Sequence, residues 1–411
     1  RRQRQMCIRD SLVTVRGTKA KKGSSMNDVS SVNNGAFVTD DGKFVFVGSE
    51  NEALKLYPDA KKTDCEGMAV LPAFIDSHTH LVFGGYRERE FNLRMNGENY
   101  MEIMKRGGGI AYTTKKTREA SEDELFAQGM RHLLEMKAYG IATVEIKSGY
   151  GLDLEAELKQ LSVIKRLREA SGMNITATFM GAHAVPAEFK GNGDAYIDYI
   201  IETVLPEIKK QGIAEFCDIF CEINVFNSVQ AERLFKAAEK LGFGLKIHAD
   251  EMADSGTAAF ACRSGCVSAD HLLYVSDEGI KAFAESDTIA ALLPATAFSL
   301  RDRYAPARKL IDGGAAVTVA SDFNPGSCFC NSLPFLIALS TINMNMTVNE
   351  TITALTLNAA ASLGKADILG SIQTGKQADF VILKWNSPDF LSYQIANNNV
   401  KHLYIKGKKQ F

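Results

Sequence analysis

The sequence predicts an α/β fold, a (β/α)8 TIM-like barrel with a small β-sandwich domain built from both chain termini. The middle of the chain alternates eight short apolar runs with amphipathic helical segments, the pattern of a parallel barrel. Both ends instead carry short β-like runs broken by turns. We therefore expect the barrel over 67–367 and a composite β domain over 12–66 plus 368–411. The basic, aperiodic stretch 1–11 is expected to be a non-native or disordered leader.

Composition narrows the class of protein. The 411 residues are 45% hydrophobic and 23% charged, which is ordinary for a globular protein. The net charge of −2 gives no indication of electrostatic nucleic-acid binding. No apolar run approaches the roughly 20 residues of a membrane helix. The eight cysteines are spread along the chain, as in proteins with reduced thiols. These features favour a cytoplasmic protein that works without nucleic acid or membrane.

The terminal segments carry hairpin patterns. "GAFVTDDGKFVFVGS" alternates apolar residues around Asp40-Asp41-Gly42, which predicts two antiparallel strands. "GKQADFVILKW" and "NVKHLYIKGKKQF" repeat the β-like pattern near the other end, with breaks at Gly375 and Gly407. The two termini are therefore expected to share one β domain.

The central segment supplies the strands and helices of the barrel. The predicted strands are 69–76, 141–147, 174–180, 216–222, 244–248, 267–271, 288–293 and 316–321. Asp153 as N-cap and Gly172 beyond the end bracket one predicted helix, and Ser121 with Glu124 opens another as a capping box. The longest connecting segments, 81–120 and 181–196, each follow a predicted strand, and barrel enzymes carry their active-site loops at these positions.

Side chains able to bind a metal recur where predicted strands end. They are five of the seven histidines and one aspartate: His78, His80, His183, His248, His271 and Asp322. The carboxyl ends of parallel barrel strands open on one mouth, so these groups are expected to converge. His132, in mid-helix, and His402, in a terminal β segment, are expected to be structural.

Four of these groups suit a single divalent metal ion. His78 and His80 are two residues apart, so they share one face of a strand. With His248 and Asp322 they would form a mononuclear site with an open position for water. A metal lowers the pKa of bound water toward neutrality and so generates hydroxide.

Two further residues are candidates for proton handling. Glu251, three residues past His248, is expected to take a proton from the nucleophile and return it to a leaving nitrogen. His271 is expected to bind the metal-bound water or to polarise a substrate carbonyl.

The motifs resemble a known family. "FIDSHTH", "HADE", the "DH" of 270–271 and "SDFNPGS" look like the amidohydrolase superfamily. Within it, "HTHLVFGGYREREF", "EIKSGYGL", "FMGAHAVP" and "SDFNPGSC" resemble the imidazolonepropionases, over about residues 65 to 385. The resemblance implies hydrolysis of the cyclic amide C–N bond of 4-imidazolone-5-propanoate to N-formimidoyl-L-glutamate, in histidine degradation, by a metal-bound hydroxide. It also implies one zinc or iron ion per subunit and a homodimer.

The family's site residues carry over to matching positions. Its metal ligands match His78, His80, His248 and Asp322. Its substrate-binding positions match Arg87, Tyr150, His183, Glu251, Asn324, Gly326 and Ser327. These assignments rest on the resemblance.

Elementary chemistry agrees with the substrate contacts. A propionate carries a carboxylate, which the fork of Arg87 can clamp. Tyr150 lies between two glycines, and the "NPGS" turn offers the amide of Asn324 and the backbone N–H groups of Gly326 and Ser327. The structural alternatives are a surface ion pair for Arg87 and simple packing for Tyr150.

Other features limit the alternatives. The predicted strand 216–222 has no lysine to bridge two metals, which favours one ion, and Lys147 is expected to pair with an acid. Cys328 and Cys330 have a soft-metal spacing but no second cysteine pair. A deaminase of a nucleobase-like ring would share the metal ligands but would have no use for Arg87. An inactive barrel serving as a binding module would have lost a ligand, and none is missing.

Overall fold

The computed structural model describes residues 5–8, 11–98 and 106–411, and its strands form three sheets. In chain order the strands β1 to β18 are Gln5–Ile8, Ser11–Val13, Ser31–Asn33, Gly35–Asp40, Lys43–Ser49, Lys61–Asp64, Val70–Pro72, Phe74–Asp76, Ile141–Lys147, Asn174–Ala182, Phe216–Cys221, Gly244–Ala249, Ser268–His271, Ile289–Leu292, Val317–Val319, Phe380–Leu383, Val400–Ile405 and Lys408–Lys409. Residues 1–4 and 9–10 of the predicted leader, and 99–105 of the predicted loop 81–120, lie outside the described residues.

Eight parallel strands form the barrel. Each of β8 to β14 pairs with the next strand in chain order, and the series ends at β15. The ends of the sheet meet just past β8 and β15, where Thr79 bridges Phe323 and the His80 N–H donates to the Phe323 carbonyl at 2.9 Å. Almost every residue of these eight strands is buried, which explains why the strands appear in the sequence as mostly apolar runs.

Helices alternate with the barrel strands. The α-helices are Glu50–Leu56, Glu88–Met95, Ile110–Glu119, Glu122–Ala138, Leu154–Ser171, Gly193–Tyr199, Leu205–Gln211, Ser228–Lys240, Thr257–Arg263, Asp277–Glu285, Pro294–Leu300, Ala307–Asp312, Leu333–Ala338, Val348–Ala354, Leu357–Ser362 and Phe390–Tyr393. The predicted caps form: Asp153 accepts from the Ala156 N–H at 2.8 Å, and Gly172 has a left-handed φ of 71°. Ser121 and Glu124 make the expected capping box. Among the described helices, none has the length and apolar character to span a bilayer.

The termini build the smaller β domain. A six-stranded sheet has the order β18-β17-β16-β7-β2-β3, and a four-stranded sheet has the order β5-β4-β1-β6. The predicted hairpin is β4–β5, and its turn has left-handed backbone at Asp41 and Gly42, with φ of 51° and 76°. Phe37 and Phe380, from opposite ends of the chain, pack edge to face in its core. The predicted fold class, a barrel with a small β domain from both termini, is confirmed.

Two predicted segments differ from the structure. The run 69–76 is not one strand, because Val70–Pro72 pairs with β16 and β2 in the small domain while Phe74–Asp76 begins the barrel. Within the predicted leader, Gln5–Ile8 pairs with β4 and β6, so these four residues belong to a sheet. Both differences depend on pairings with strands distant in the sequence, which local pattern does not reveal.

Candidate metal centre and substrate pocket

Four predicted ligands meet at the barrel mouth. His78 and His80 follow β8, His248 lies in β12, and Asp322 follows β15. The Nε2 atom of His80 lies 3.3 Å from Nε2 of His78 and 3.4 Å from Nε2 of His248. Oδ1 of Asp322 lies 3.3 Å and 3.5 Å from the Nε2 atoms of His78 and His80. The structure therefore brings these four side chains together, and their assignment as metal ligands stays a prediction.

The spacing of these atoms fits a metal ion. Ligands bound tetrahedrally at about 2.1 Å lie about 3.4 Å from one another, which matches the observed 3.3–3.5 Å. All four residues are buried. Two triads share His78 and have ligand atoms within 4.8 Å of one another: His78, His80 and Asp322, and His78, His248 and His271. Buried imidazole nitrogens with one carboxylate suit a divalent cation such as zinc.

Two carboxylates and one hydroxyl contact the candidate ligands from behind and fix the orientation of their side chains. Oδ2 of Asp270 lies 2.5 Å from Nδ1 of His78, and Oδ1 of Asp218 lies 3.1 Å from Nδ1 of His248. Thr296 donates its hydroxyl to Oδ2 of Asp322 at 2.7 Å. A carboxylate on Nδ1 places the proton there and leaves the Nε2 lone pair for a metal.

The supporting roles of Asp218, Asp270 and Thr296 were not predicted from the sequence. The available signal was a charged residue in an otherwise apolar strand, as in "CDIFC", because such a charge is buried only with a partner. Lys147 is that partner: its Nζ lies 2.7 Å from Asp218 and 3.1 Å from Glu145, so it pairs with acids as expected. Burial opposes its charge, but the carboxylates prevail and raise the pKa of Lys147. Asp218, also buried, has its pKa lowered by Lys147 and His248.

Glu251 and His271 lie together beside the ligands. Nε2 of His271 is 3.5 Å from Oε2 of Glu251. Burial raises the pKa of Glu251 to about 8, with the nearby Asp322 adding to the effect, so the carboxyl can gain or lose a proton near neutrality. Burial lowers the pKa of His271, which keeps that ring neutral.

The backbone at His271 is unusual. Its φ is +82°, in the left-handed region that non-glycine residues rarely adopt. Asp270 and His271 are adjacent, and adjacent side chains of a regular strand point to opposite faces. The turn at the end of β13 relieves that constraint. Neither ring nitrogen of His271 has a hydrogen-bond partner among the described protein atoms, which leaves both for a ligand.

His183 and Tyr150 extend the site on one side. The His183 ring stacks on His80 with centroids 4.9 Å apart, and its Nδ1 lies 3.0 Å from the Gly149 carbonyl. That contact places the proton on Nδ1 and leaves Nε2 as an acceptor. Burial lowers the pKa of His183 to about 3. Tyr150 lies 5.2 Å from His183 between ring centroids, and burial raises its pKa, so its hydroxyl stays a donor.

Arg87 lines a neighbouring cavity of about 910 Å³. Its Nε donates to Glu90 at 3.0 Å, and a second nitrogen pairs with the same carboxylate. Glu90 also accepts from the Gly109 N–H at 2.8 Å. The guanidinium rests against Gly326, where an added Cβ would stand 2.2 Å from Nη1. The Arg87 side chain is thus only 9% exposed and is held in one orientation by Glu90.

The "NPGS" turn uses its polar groups internally. The N–H groups of Gly326 and Ser327 donate to Oδ1 of Asn324 at 2.9 and 2.8 Å. Nδ2 of Asn324 donates to the Asp322 carbonyl at 2.7 Å. The turn therefore holds the backbone of Asp322, a candidate metal ligand. The assignment of Asn324, Gly326 and Ser327 as substrate contacts stays a prediction.

Comparisons with known proteins agree with this geometry. The amidohydrolase family matches residues 69–409. A protein named imidazolonepropionase from Porphyromonas gingivalis is 51% identical over 399 residues, covering 96% of this chain and 94% of its own length. Its namesake from Clostridium tetani is 48% identical over 398 residues, covering 96% and 95%.

Solved structures share the fold at low identity. An adenosine deaminase from Xanthomonas campestris with bound zinc has a TM-score of 0.70 at 18% identity, over 99% of this chain and 92% of its own. A guanine deaminase from C. acetobutylicum with bound guanine has a TM-score of 0.72 at 14% identity, over 99% and 100%. At these identities the likeness concerns the fold alone.

Proposed function

This chain belongs to the amidohydrolase family and, within it, to the imidazolonepropionases, and we propose on that premise how its site works. It is a hydrolase that opens the cyclic amide C–N bond of 4-imidazolone-5-propanoate and yields N-formimidoyl-L-glutamate, a step in histidine degradation. The observation that carries this function is identity near one half to the relatives of that name over almost the whole of both chains.

The first part of the proposal is the metal. His78, His80, His248 and Asp322 would hold one zinc or iron ion, as supported by their 3.3–3.5 Å spacing and by the carboxylates behind two of the imidazoles. Such an ion, when bound, would lower the pKa of a water molecule and act as a Lewis acid on a carbonyl.

The second part is the path of the proton. Glu251 takes a proton from the attacking water and delivers it to the ring nitrogen as the C–N bond breaks. Its pKa of about 8 suits both halves of that task. His271, 3.5 Å from Glu251, carries a proton on one of its ring nitrogens and donates it as a hydrogen bond to the oxyanion that develops on the ring carbonyl.

The third part is substrate binding. Glu90 occupies the Nε side of the Arg87 fork, which leaves the Nη1 side beside Gly326 for the propionate carboxylate. Binding the propionate there orients the ring for attack. We propose Tyr150 and His183, which flank His80, as contacts of the ring, and Asn324, Gly326 and Ser327 as contacts from the turn.

The deaminase alternative is not favoured. The deaminases share the fold with this chain at 14–18% identity, whereas the imidazolonepropionases are 46–51% identical to it. An arginine held in one orientation for a carboxylate also has no role with a neutral base. Homodimeric assembly, which the family resemblance implies, and a cytoplasmic location, which the composition and cysteine usage favour, complete the proposal.

A spectrophotometric assay tests this function. Protein, chelator-treated protein and protein resupplied with zinc are mixed with imidazolone propionate, and loss of its absorbance is followed. We expect turnover that chelator removes and zinc restores. Zinc-loaded protein without turnover would refute the substrate.

Arg87→Met tests the carboxylate clamp in the same assay. Losing two charge-assisted hydrogen bonds of about 1.5 kcal/mol each should raise KM about 100-fold. Arg89→Met is the matched control, because the Arg89 side chain is 96% exposed and should leave KM unchanged. Equal KM values for the two variants would refute the clamp.

A further inference from the structure

Lys147 lies inside the barrel, below the candidate metal centre. It belongs to β9, and its side chain is fully buried. Its Nζ lies 2.7 Å from Oδ2 of Asp218, 3.1 Å from Glu145 and 3.8 Å from Oδ2 of Asp270. One ammonium group thus faces three buried carboxylates.

Two of these carboxylates each hold a metal ligand. Asp218 contacts Nδ1 of His248 at 3.1 Å, and Asp270 contacts Nδ1 of His78 at 2.5 Å. Lys147 is therefore connected to two candidate ligands through one carboxylate each, by paths that start on β9 and end on β12 and just past β8. Lys147 is therefore shared by the Asp218–His248 contact and the Asp270–His78 contact.

The neighbouring Lys246 has a different connection. It is as deeply buried as Lys147, but the ion pair it makes is with Glu145, at 3.2 Å. Buried carboxylates need cations or hydrogen bonds to remain ionised and aimed. Both lysines pair with Glu145, but of the two Lys147 alone makes direct ion pairs with the carboxylates that touch His78 and His248.

We propose that Lys147 is a positioning residue of the metal centre. It fixes Asp218 and Asp270 so that His248 and His78 carry their protons on Nδ1 and direct both Nε2 lone pairs at the metal. The inference rests on the proposed metal site and is independent of the proposed substrate. Removing an outer partner of this kind typically weakens metal affinity about 10- to 100-fold, and we expect a loss in that range.

Zinc affinity of the full chain is the direct test. Metal-stripped wild type, Lys147→Met and Lys246→Met compete for zinc with a chromophoric chelator, and circular dichroism checks that each is folded. We expect Lys147→Met to raise the Kd for zinc about 10- to 100-fold. Lys246→Met removes an equally buried cation whose direct ion pair is with Glu145, so it should raise the Kd clearly less than Lys147→Met does. A wild-type Kd in folded Lys147→Met, or equal losses in both variants, would overturn the proposal.

A second comparison serves if Lys147→Met does not fold because its carboxylates are left uncompensated. Asp218→Asn removes one of those charges, so Asp218→Asn and Lys147→Met/Asp218→Asn can be compared with each other. In the double variant Asp270, which contacts His78, still loses the ammonium group of Lys147. We therefore expect the double variant to bind zinc about 10-fold more weakly than Asp218→Asn. Equal affinities would overturn the proposal. Wild-type protein that takes up no zinc would instead refute the proposed function itself.

Discussion

Replacing Glu251 with glutamine separates stability from activity at one position. The Glu251 side chain is 14% exposed, and its partial removal from water raises the pKa of its carboxyl to about 8 from an ordinary 4.5. Between these values the folded protein keeps a proton that the unfolded chain has released. Folding therefore binds a proton, and Glu251 makes the protein progressively less stable as the pH rises from 4.5 to 8. Glutamine cannot ionise, so the free energy of unfolding of Glu251→Gln should not include this decrease with pH.

The magnitude follows from the two pKa values. Each pH unit between them is worth about 1.4 kcal/mol. In metal-free protein, the stability of Glu251→Gln relative to wild type should rise by about 3 kcal/mol between pH 4.5 and pH 7, and by about 5 kcal/mol in total above pH 8. These are upper values, because the side chain keeps some contact with solvent. Activity of the zinc-loaded variant should fall by about 10² to 10⁴, the usual contribution of a general acid–base group.

Urea unfolding with chelator at pH 5, 7 and 9 measures the difference in free energy of unfolding. Glu278→Gln, whose side chain is 81% exposed, is the control and should follow the wild-type curve. A Glu251→Gln difference that stays constant from pH 5 to 9 would refute the reasoning, because it would mean that Glu251 titrates alike in folded and unfolded chains.

Two further substitutions test the pocket and the metal centre. Gly326→Ala would place a Cβ 2.2 Å from Nη1 of Arg87, so the guanidinium must move; we expect a higher KM in steady-state assays with unchanged zinc affinity, and an unchanged KM would contradict the packing. Thr296→Val removes the hydroxyl that donates to Oδ2 of Asp322 at 2.7 Å; competitive chelation should show zinc affinity reduced at least 10-fold, and wild-type affinity would mean that the bond does not orient the ligand.

The barrel could be predicted because each of its strands has a local signal. Ile141–Lys147 and Phe216–Cys221 are apolar runs between turns, and the capping residues Ser121 and Asp153 contact groups within one helical turn. The division at Ala73 has no such signal. Apolar residues continue through it, and only pairing with strands from other parts of the chain assigns one side to the small domain and the other to the barrel.

The same distinction holds for the site. The histidines at strand ends could be identified as candidate metal ligands, because both the residue type and its position at the end of a predicted strand can be read from the sequence. Their outer partners are not visible: His78 and Asp270 are 192 residues apart, and the barrel register places Asp270 beside His248 across β12 and β13. The Asn324 turn is a local pattern, since asparagine side chains commonly bind backbone two residues on, and could have been predicted.

Hydrolysis in ¹⁸O-labelled water tests the central claim most directly. Zinc-loaded protein is incubated with imidazolone propionate, and the product is analysed by mass spectrometry and for ammonia. Ring opening at the C–N bond should give N-formimidoylglutamate with one ¹⁸O atom in the newly formed carboxylate and no ammonia. Release of ammonia, or unlabelled product, would contradict the account and indicate a different reaction at the same metal site.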